Sequence, residues 1–318
     1  MSLIVVGAGG FIGHRVVTEA ALAGVPTVAV VRSATSAERL RHIGAQVVQG
    51  DAQHPDHWID QARGAAAVVD LVQPALPTRL SGRAMTAIAA TRQKITEALT
   101  RSLAQLPTSD RPILVSVSGA DDLQPRSDST IDHLSPLRQQ PVGFAHIGLP
   151  VRRLISASGI PAVYVYLGNL VYGPGKGFAD TLVPGLLRRR IPVFGGGNRL
   201  PLVHVTDAAR AIVHLAGLDH NQLVDRSYVV ADPARATLAE FMRATATLLG
   251  APAPRSAPRL IGRLAMGAIA MQTLELDAVP DTSALTATGF NFRYPSYREG
   301  LPPTLAALGH PRKGTPQS

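Results

Sequence analysis

Along its first half the chain alternates short apolar runs rich in Val and Ile with longer stretches where apolar residues recur every three or four positions. The short runs at 2–6, 27–32, 45–50, 66–72, 112–118 and 161–168 predict β-strands, and the periodic stretches at 14–23, 36–43 and 82–106 predict helices. Strands apolar on both faces suit a parallel sheet with helices on each side, so the pattern predicts an α/β, doubly wound fold. Beyond Gly173 the texture changes. Gly and Pro punctuate the chain, as in Gly173-Pro174-Gly175 and Gly195-Gly196-Gly197, and the helical stretches shorten. The expected organisation is a sheet domain over 1–175, to which 200–216 return as a strand and helix, and a smaller C-terminal substrate-binding lobe over 176–318. Within that lobe, 260–271 predicts one flexible apolar helix that packs the lobe or walls a pocket for an apolar ligand. The polar tail 310–318 is expected to fray.

Composition narrows the chemistry. A length of 318 residues suggests two units, and 46% hydrophobic with 17% charged residues excludes global disorder. The absence of Cys excludes disulfides, thiol nucleophiles, thiolate metal sites and iron–sulfur clusters. The net charge of +9 is scattered along the chain. Its dense run, Arg188-Arg189-Arg190, follows an apolar stretch at 182–187 and reads as the end of an amphipathic helix, so no nucleic-acid partner is expected. No apolar run reaches the ~18 residues of a membrane span, and the first strand begins at once without a basic leader. The expectation is a cytoplasmic protein. His54-Pro55-Asp56-His57 offers two imidazoles but no third ligand in register, so no metal is expected.

The first strand runs directly into Gly7-Ala8-Gly9-Gly10-Phe11-Ile12-Gly13, and a helix follows. Glycines between a strand and a helix allow a tight turn, let the backbone approach a pyrophosphate and aim helix N–H groups at it. Gly7, Gly10, Phe11, Ile12 and Gly13 are therefore candidate dinucleotide contacts in a Rossmann-type sheet. The second strand ends in Arg32-Ser33 rather than Asp or Glu. An acid there would bind the ribose 2′-hydroxyl and repel a 2′-phosphate, whereas Arg and Ser attract it. NADPH is thus the expected cofactor, with NADH as the alternative. Asp51, with Ala52 after it, is placed to accept from the adenine amino group or to cap a helix.

With these motifs in order, the chain resembles the extended short-chain dehydrogenases/reductases, the group holding NAD(P)-dependent epimerases, dehydratases and ketoreductases. Gly50-Asp51 resembles its adenine-contacting position, and Asp70-Leu71-Val72-Gln73 its fourth-strand motif, with Val72 and Gln73 in place of small residues. Ser116-Val117-Ser118 resembles the strand bearing the active-site Ser, and Val171-Tyr172-Gly173-Pro174-Gly175 the loop at the nicotinamide end. The resemblance adds Leu71, Val72, Gln73, Ser116 and Asn169 to the cofactor contacts and implies a small-molecule substrate and a homodimer.

One part of the resemblance fails. The family's Tyr-x-x-x-Lys pair would fall on Phe144 and Gly148; no Tyr precedes Tyr164, and no Lys lies between Lys94 and Lys176. Tyr172 and Lys176 have the right spacing, but Gly-Pro-Gly between them forbids a helical turn. The remaining candidates for the proton chemistry are Ser118, His146 and a hydroxyl on the substrate itself. The expected activity is an NADPH-dependent ketoreductase of natural-product metabolism. A sugar-nucleotide epimerase or dehydratase, and a non-catalytic NADP-binding redox sensor, are the alternatives.

Overall fold

The computed structural model describes residues 2–77, 79–223 and 226–311, so most of the tail expected to fray lies outside the described residues. Seven strands form one parallel sheet: β1 (Leu3–Val6), β2 (Thr27–Val31), β3 (Gln46–Gln49), β4 (Ala67–Asp70), β5 (Ile113–Gly119), β6 (Ala162–Leu167) and β7 (Ser227–Val230). Their order is β7-β6-β5-β4-β1-β2-β3. Alternate residues of each strand face opposite layers. Leu3, Val5, Val69 and Val115 pack with Val16 and Val17 of α1 (Phe11–Leu22) and Leu40 of α2 (Ala34–Arg41). Ile4, Val6, Val68 and Leu114 pack with Leu99 and Leu103 of α3 (Gly82–Gln105) and Ile155 of α4 (Ala145–Ser158). Both faces are covered, which is why the strands lack polar alternation.

The chain leaves β1 towards β2 on one side and reaches β4 on the other. The crevice at the C-terminal ends of β1 and β4 is therefore the topological switch point, where such sheets bind ligands. Leu202–His204 pairs in parallel with Leu170–Tyr172, and α5 (Val205–Ala216) lies against α1 with Ala208, Ile212 and Leu215 in the sheet core. The C-terminal part adds α6 (Leu238–Leu248), α7 (Arg259–Met266), α8 (Ala268–Glu275) and α9 (Tyr297–Ala307) around a core of Tyr172, Phe178, Phe241 and Leu301. Among the described residues no helix is long and apolar enough to cross a membrane.

Three expectations change. The single helix over 260–271 is two helices, because Gly267 adopts φ +92 and presses against Leu80, where an added Cβ would come within 2.8 Å of the Leu80 carbonyl carbon. The helix before the arginine run stops at Leu187, and Arg189 takes φ +56, so the three arginines lie past the helix in a turn. The fourth strand ends at Asp70 rather than 72, because the Asp70 carboxylate accepts from the Val72 N–H at 3.2 Å and pairs with buried Arg92 of α3 at 2.6 Å. That pair fixes where Leu71, Val72 and Gln73 emerge.

Candidate active site and cofactor cleft

At the switch point lies a cleft of about 570 Å³. Gly7, Gly10, Phe11, Ile12 and Gly13 line it from the first turn, Arg32 and Ser33 from the end of β2, Asp51 and Ala52 from the end of β3, and Leu71, Val72 and Gln73 from the end of β4. Gly7 takes φ +82, and a Cβ there would sit 2.9 Å from the Leu71 carbonyl. A Cβ on Gly13 would overlap the Gly7 carbonyl oxygen. The turn closes only because these positions carry no side chain. Gly10 is the N-cap of α1 and makes no side-chain cap. The N–H groups of Phe11, Ile12 and Gly13 consequently face the cleft without intrahelical acceptors, as a pyrophosphate requires. The donors, the glycine cradle and the volume fit a nicotinamide dinucleotide.

Several side chains have second tasks. Ser33 caps α2 through the Ser36 N–H at 3.2 Å, and Asp51 accepts from the Gln53 N–H at 3.0 Å while its carbonyl accepts from the Trp58 ring at 3.1 Å. Asp51 thus closes a local turn at the cleft edge. Lys176, on the loop where a Cβ on Gly175 would meet the Phe11 ring at 3.1 Å, also lines the cleft. Tyr172 does not: it is fully buried in the C-terminal core against Phe178, Phe241 and His204. The matched spacing of Tyr172 and Lys176 brings no pair together. Two expected cofactor contacts lie outside the residues that line this cleft. Ser116 is 5% exposed, held between Asp70 of β4 and Tyr164 of β6, off the cleft. Asn169 gives its amide to the Asp121 carboxylate.

Ser118 stands at the C-terminal end of β5, one strand from the cleft, with its hydroxyl donating to Asp122 Oδ2 at 2.7 Å. Gly148 of α4 lies directly over this pair; a Cβ there would collide with both Asp122 oxygens and with Ser118 Oγ. At Gly148, the position the resemblance assigns to a Lys, Asp122 fills the volume that a side chain would need. Phe144, which the resemblance would set at a Tyr position, gives its N–H to Asp121 Oδ2 at 3.0 Å and packs on an apolar cluster of Leu80, Met85, Ile88 and Ile269. His146 is the other expected acid. At ~100° per residue it leaves α4 on the side opposite Gly148, away from Ser118.

Two buried Asp residues follow β5, and composition did not single them out. Asp121 accepts from Thr273 of α8 at 2.7 Å, from Phe144 and from Asn169, so it ties the start of α4, the end of β6 and the C-terminal part together. Burial pushes its carboxyl above the usual range. Asp122 is pushed up to about 8, first by burial and then by Asp121, against the Ser118 hydrogen bond. Asp232, below Tyr172, is also pushed up to about 8 by burial and Asp207. The sequence signal was there to read: Gly119-Ala120-Asp121-Asp122 places tandem acids straight after an apolar strand.

These shifts set a pH dependence of stability. Asp122 and Asp232 hold protons in the fold that they release in the unfolded chain, so stability falls as pH rises toward about 8. Below about 6.5 that trend is opposed by His204, buried neutral and lowered to about 4. The expected outcome is a melting temperature that drops between roughly pH 6.5 and 8, with a shallower drop in Asp232→Asn. A melting temperature that rises over this interval contradicts it.

Fold and cleft together define a nicotinamide-dinucleotide-binding α/β protein of the extended short-chain dehydrogenase/reductase type. The NAD dependent epimerase/dehydratase family model matches residues 3–231, and the chain belongs to that family. A protein from Streptomyces sp named 3-diazoavenalumate denitrifying reductase is 27% identical over 314 residues, covering 95% of this chain and 99% of its own. Among solved structures, human epimerase family protein SDR39U1 (isoform 2) with NADPH superposes with a TM-score of 0.77 at 21% identity, over 96% of this chain and 99% of that one. MoeE5 in complex with UDP-glucose and NAD superposes at 0.74 and 21% identity, over 97% and 98%. These two likenesses show the fold.

Proposed function

We propose that the chain is an NADPH-dependent reductase of an apolar small-molecule ketone of natural-product metabolism, with Ser118 holding the carbonyl oxygen. The cofactor bound in the cleft supplies hydride to the acceptor. The observation that carries the reading is the pairing of an intact dinucleotide cleft with a site where Ser118 is kept and Phe144 and Gly148 replace the usual acid and ammonium. An epimerase or dehydratase must also take a hydroxyl proton, for which that pair is the family's base.

A second reading is favoured by the Streptomyces relative, whose name describes reductive loss of nitrogen from a diazo compound. A diazonium group carries its positive charge on nitrogen; net delivery of hydride forms a C–H bond, breaks the C–N bond and releases dinitrogen, leaving no oxyanion to protonate. A site without Tyr and Lys is adequate for that acceptor.

The test follows NADPH oxidation with aromatic ketones, aromatic diazo acids and nucleotide sugars. Ketone turnover supports the first reading and diazo turnover alone the second. Interconversion of nucleotide sugars contradicts both, and tight NADPH binding without turnover of any acceptor points to a redox sensor. Cofactor choice has its own outcome. Arg32 lines the cleft where a 2′-phosphate would lie, so Arg32→Ala is expected to raise KM for NADPH roughly 10–100-fold, the worth of a charge-assisted hydrogen bond, with little change for NADH. Equal effects on the two cofactors contradict the assignment.

A further inference from the structure

We propose that Asp122 is the proton store of this site, a buried carboxylic acid that protonates the reduced ketone through the Ser118 hydroxyl. The inference rests on the ketone reading and supplies what that reading lacks, a proton source within the protein.

The geometry carries it. The Asp122 side chain is 1% exposed, and among the described residues its hydrogen-bond partner is the Ser118 hydroxyl, 2.7 Å away; Oδ1 has none. Ser118 itself is half-buried at the C-terminal end of β5 while Asp122 is fully buried, so of the two it is the one an acceptor can reach. The carboxyl reaches Ser118 only because position 148 is Gly, and any side chain there would displace it. Where the family places an ammonium behind a phenol, this chain places a carboxylic acid behind a serine. The two arrangements are mutually exclusive in space.

The direction of the hydrogen bond depends on the proton. Ionised Asp122 accepts the Ser118 hydroxyl hydrogen and turns it away from the crevice. Protonated Asp122 donates to Ser118 Oγ and frees the hydroxyl hydrogen for the ketone oxygen. As hydride from the nicotinamide cofactor forms the new C–H bond, the carbonyl oxygen takes the Ser118 hydrogen, and Ser118 takes the Asp122 proton. The products are an alcohol, oxidised cofactor and Asp122 carboxylate, which regains a proton from water before the next turnover. Burial keeps the acid protonated at neutral pH. The groups facing it are Asp121 on its own loop and Arg138 from the segment before α4, with Tyr166 of β6, itself pushed up to about 12 by burial and Asp122, and Arg152 of α4 beside that ring. Asp121 favours the protonated form and Arg138 opposes it. Asp122 acts through Ser118 and is a positioning residue as well as the proton store.

The experiment has two arms on the full chain. The first is infrared difference spectroscopy without substrate or cofactor, wild type against Asp122→Asn. The expected result is a protonated-carboxyl band at neutral pH that disappears with the variant and titrates near 8; no lost band overturns the proposal, whatever the acceptor proves to be. The second measures ketone reduction against pH. The expected wild-type kcat falls as pH rises through about 8. Asp122→Asn, which keeps an N–H donor to Ser118, is expected to lose roughly 10²-fold in kcat at nearly unchanged KM and to lose that alkaline limb. Wild-type kcat and pH profile in Asp122→Asn overturn the relay, as does loss of turnover when a hydroxyl neighbouring the ketone is methylated, which assigns the proton to the substrate. Failure to reduce any ketone contradicts the functional reading, and the infrared arm still decides whether Asp122 stores a proton. Unchanged NADPH affinity in the variant verifies that it is folded.

Discussion

Gly13→Ala is expected to weaken NADPH binding roughly 100-fold or more, about 2.7 kcal/mol, in a protein that still folds. The added methyl would overlap the Gly7 carbonyl oxygen and stand 2.8 Å from the Ala8 Cα, both backbone atoms that no rotamer change can move. Relief requires the turn to open. Opening it moves the Gly7 segment off the Leu71 backbone and turns the first N–H groups of α1 away from the pyrophosphate site. The sheet residues beneath, Leu3 to Val6, are held by β2 and β4 on either side and are not disturbed. Fluorescence titration with NADPH checks binding, and circular dichroism checks the fold. Wild-type affinity in Gly13→Ala contradicts the placement of the pyrophosphate at this turn.

The second large effect concerns an attempt to restore the family's pair. Gly148→Lys, alone or with Phe144→Tyr, is expected to destabilise the protein by at least the ~1–3 kcal/mol of an overpacked core and to yield no gain in turnover. The Lys Cβ would collide with the Asp122 carboxyl and Ser118 Oγ, and neither can retreat, because Ser118 lies in β5 and Asp122 is enclosed by α4 and β6. Adding Asp122→Ala to Gly148→Lys vacates that volume and is expected to recover most of the lost stability. Thermal melts of the single and double variants measure this directly. Additive losses in the double variant would show that Asp122 does not occupy the space of the missing Lys side chain.

Much of this molecule is legible in its residues. The apolar runs mark six of the seven sheet strands because a doubly covered parallel strand needs no polar alternation. The glycine turn, Arg32 and Asp51 stand at the cleft because each follows a strand end, where the fold leaves the sequence little freedom. Other features depend on tertiary distance. Nothing local in Gly148 or Asp122 shows that the two meet; the contact joins residues 26 positions apart across β5 and α4. Gly267 reads as one flexible position in an apolar helix until Leu80 is seen pressed against it. His146 is a residue type that can carry a proton, but it sits two positions from Gly148 and so on the other side of its helix. Ser116 fits the family motif by order yet is buried inside the sheet, because it shares a face with Ser118 but sits two residues earlier, and only the Ser at 118 reaches the strand end.

On the proposed reading this cleft serves reduction of a small-molecule acceptor without a Tyr and Lys pair. Its most direct measurement is a single-turnover reaction with NADPH deuterated at the nicotinamide C4, followed by mass spectrometry of acceptor and cofactor. The expected result is one deuterium on the reduced carbon of an aromatic ketone, with transfer sharply lower in Gly13→Ala at the same cofactor concentration. Tight binding of the labelled cofactor, with the deuterium retained on it in the presence of every ketone and diazo acceptor, contradicts the account.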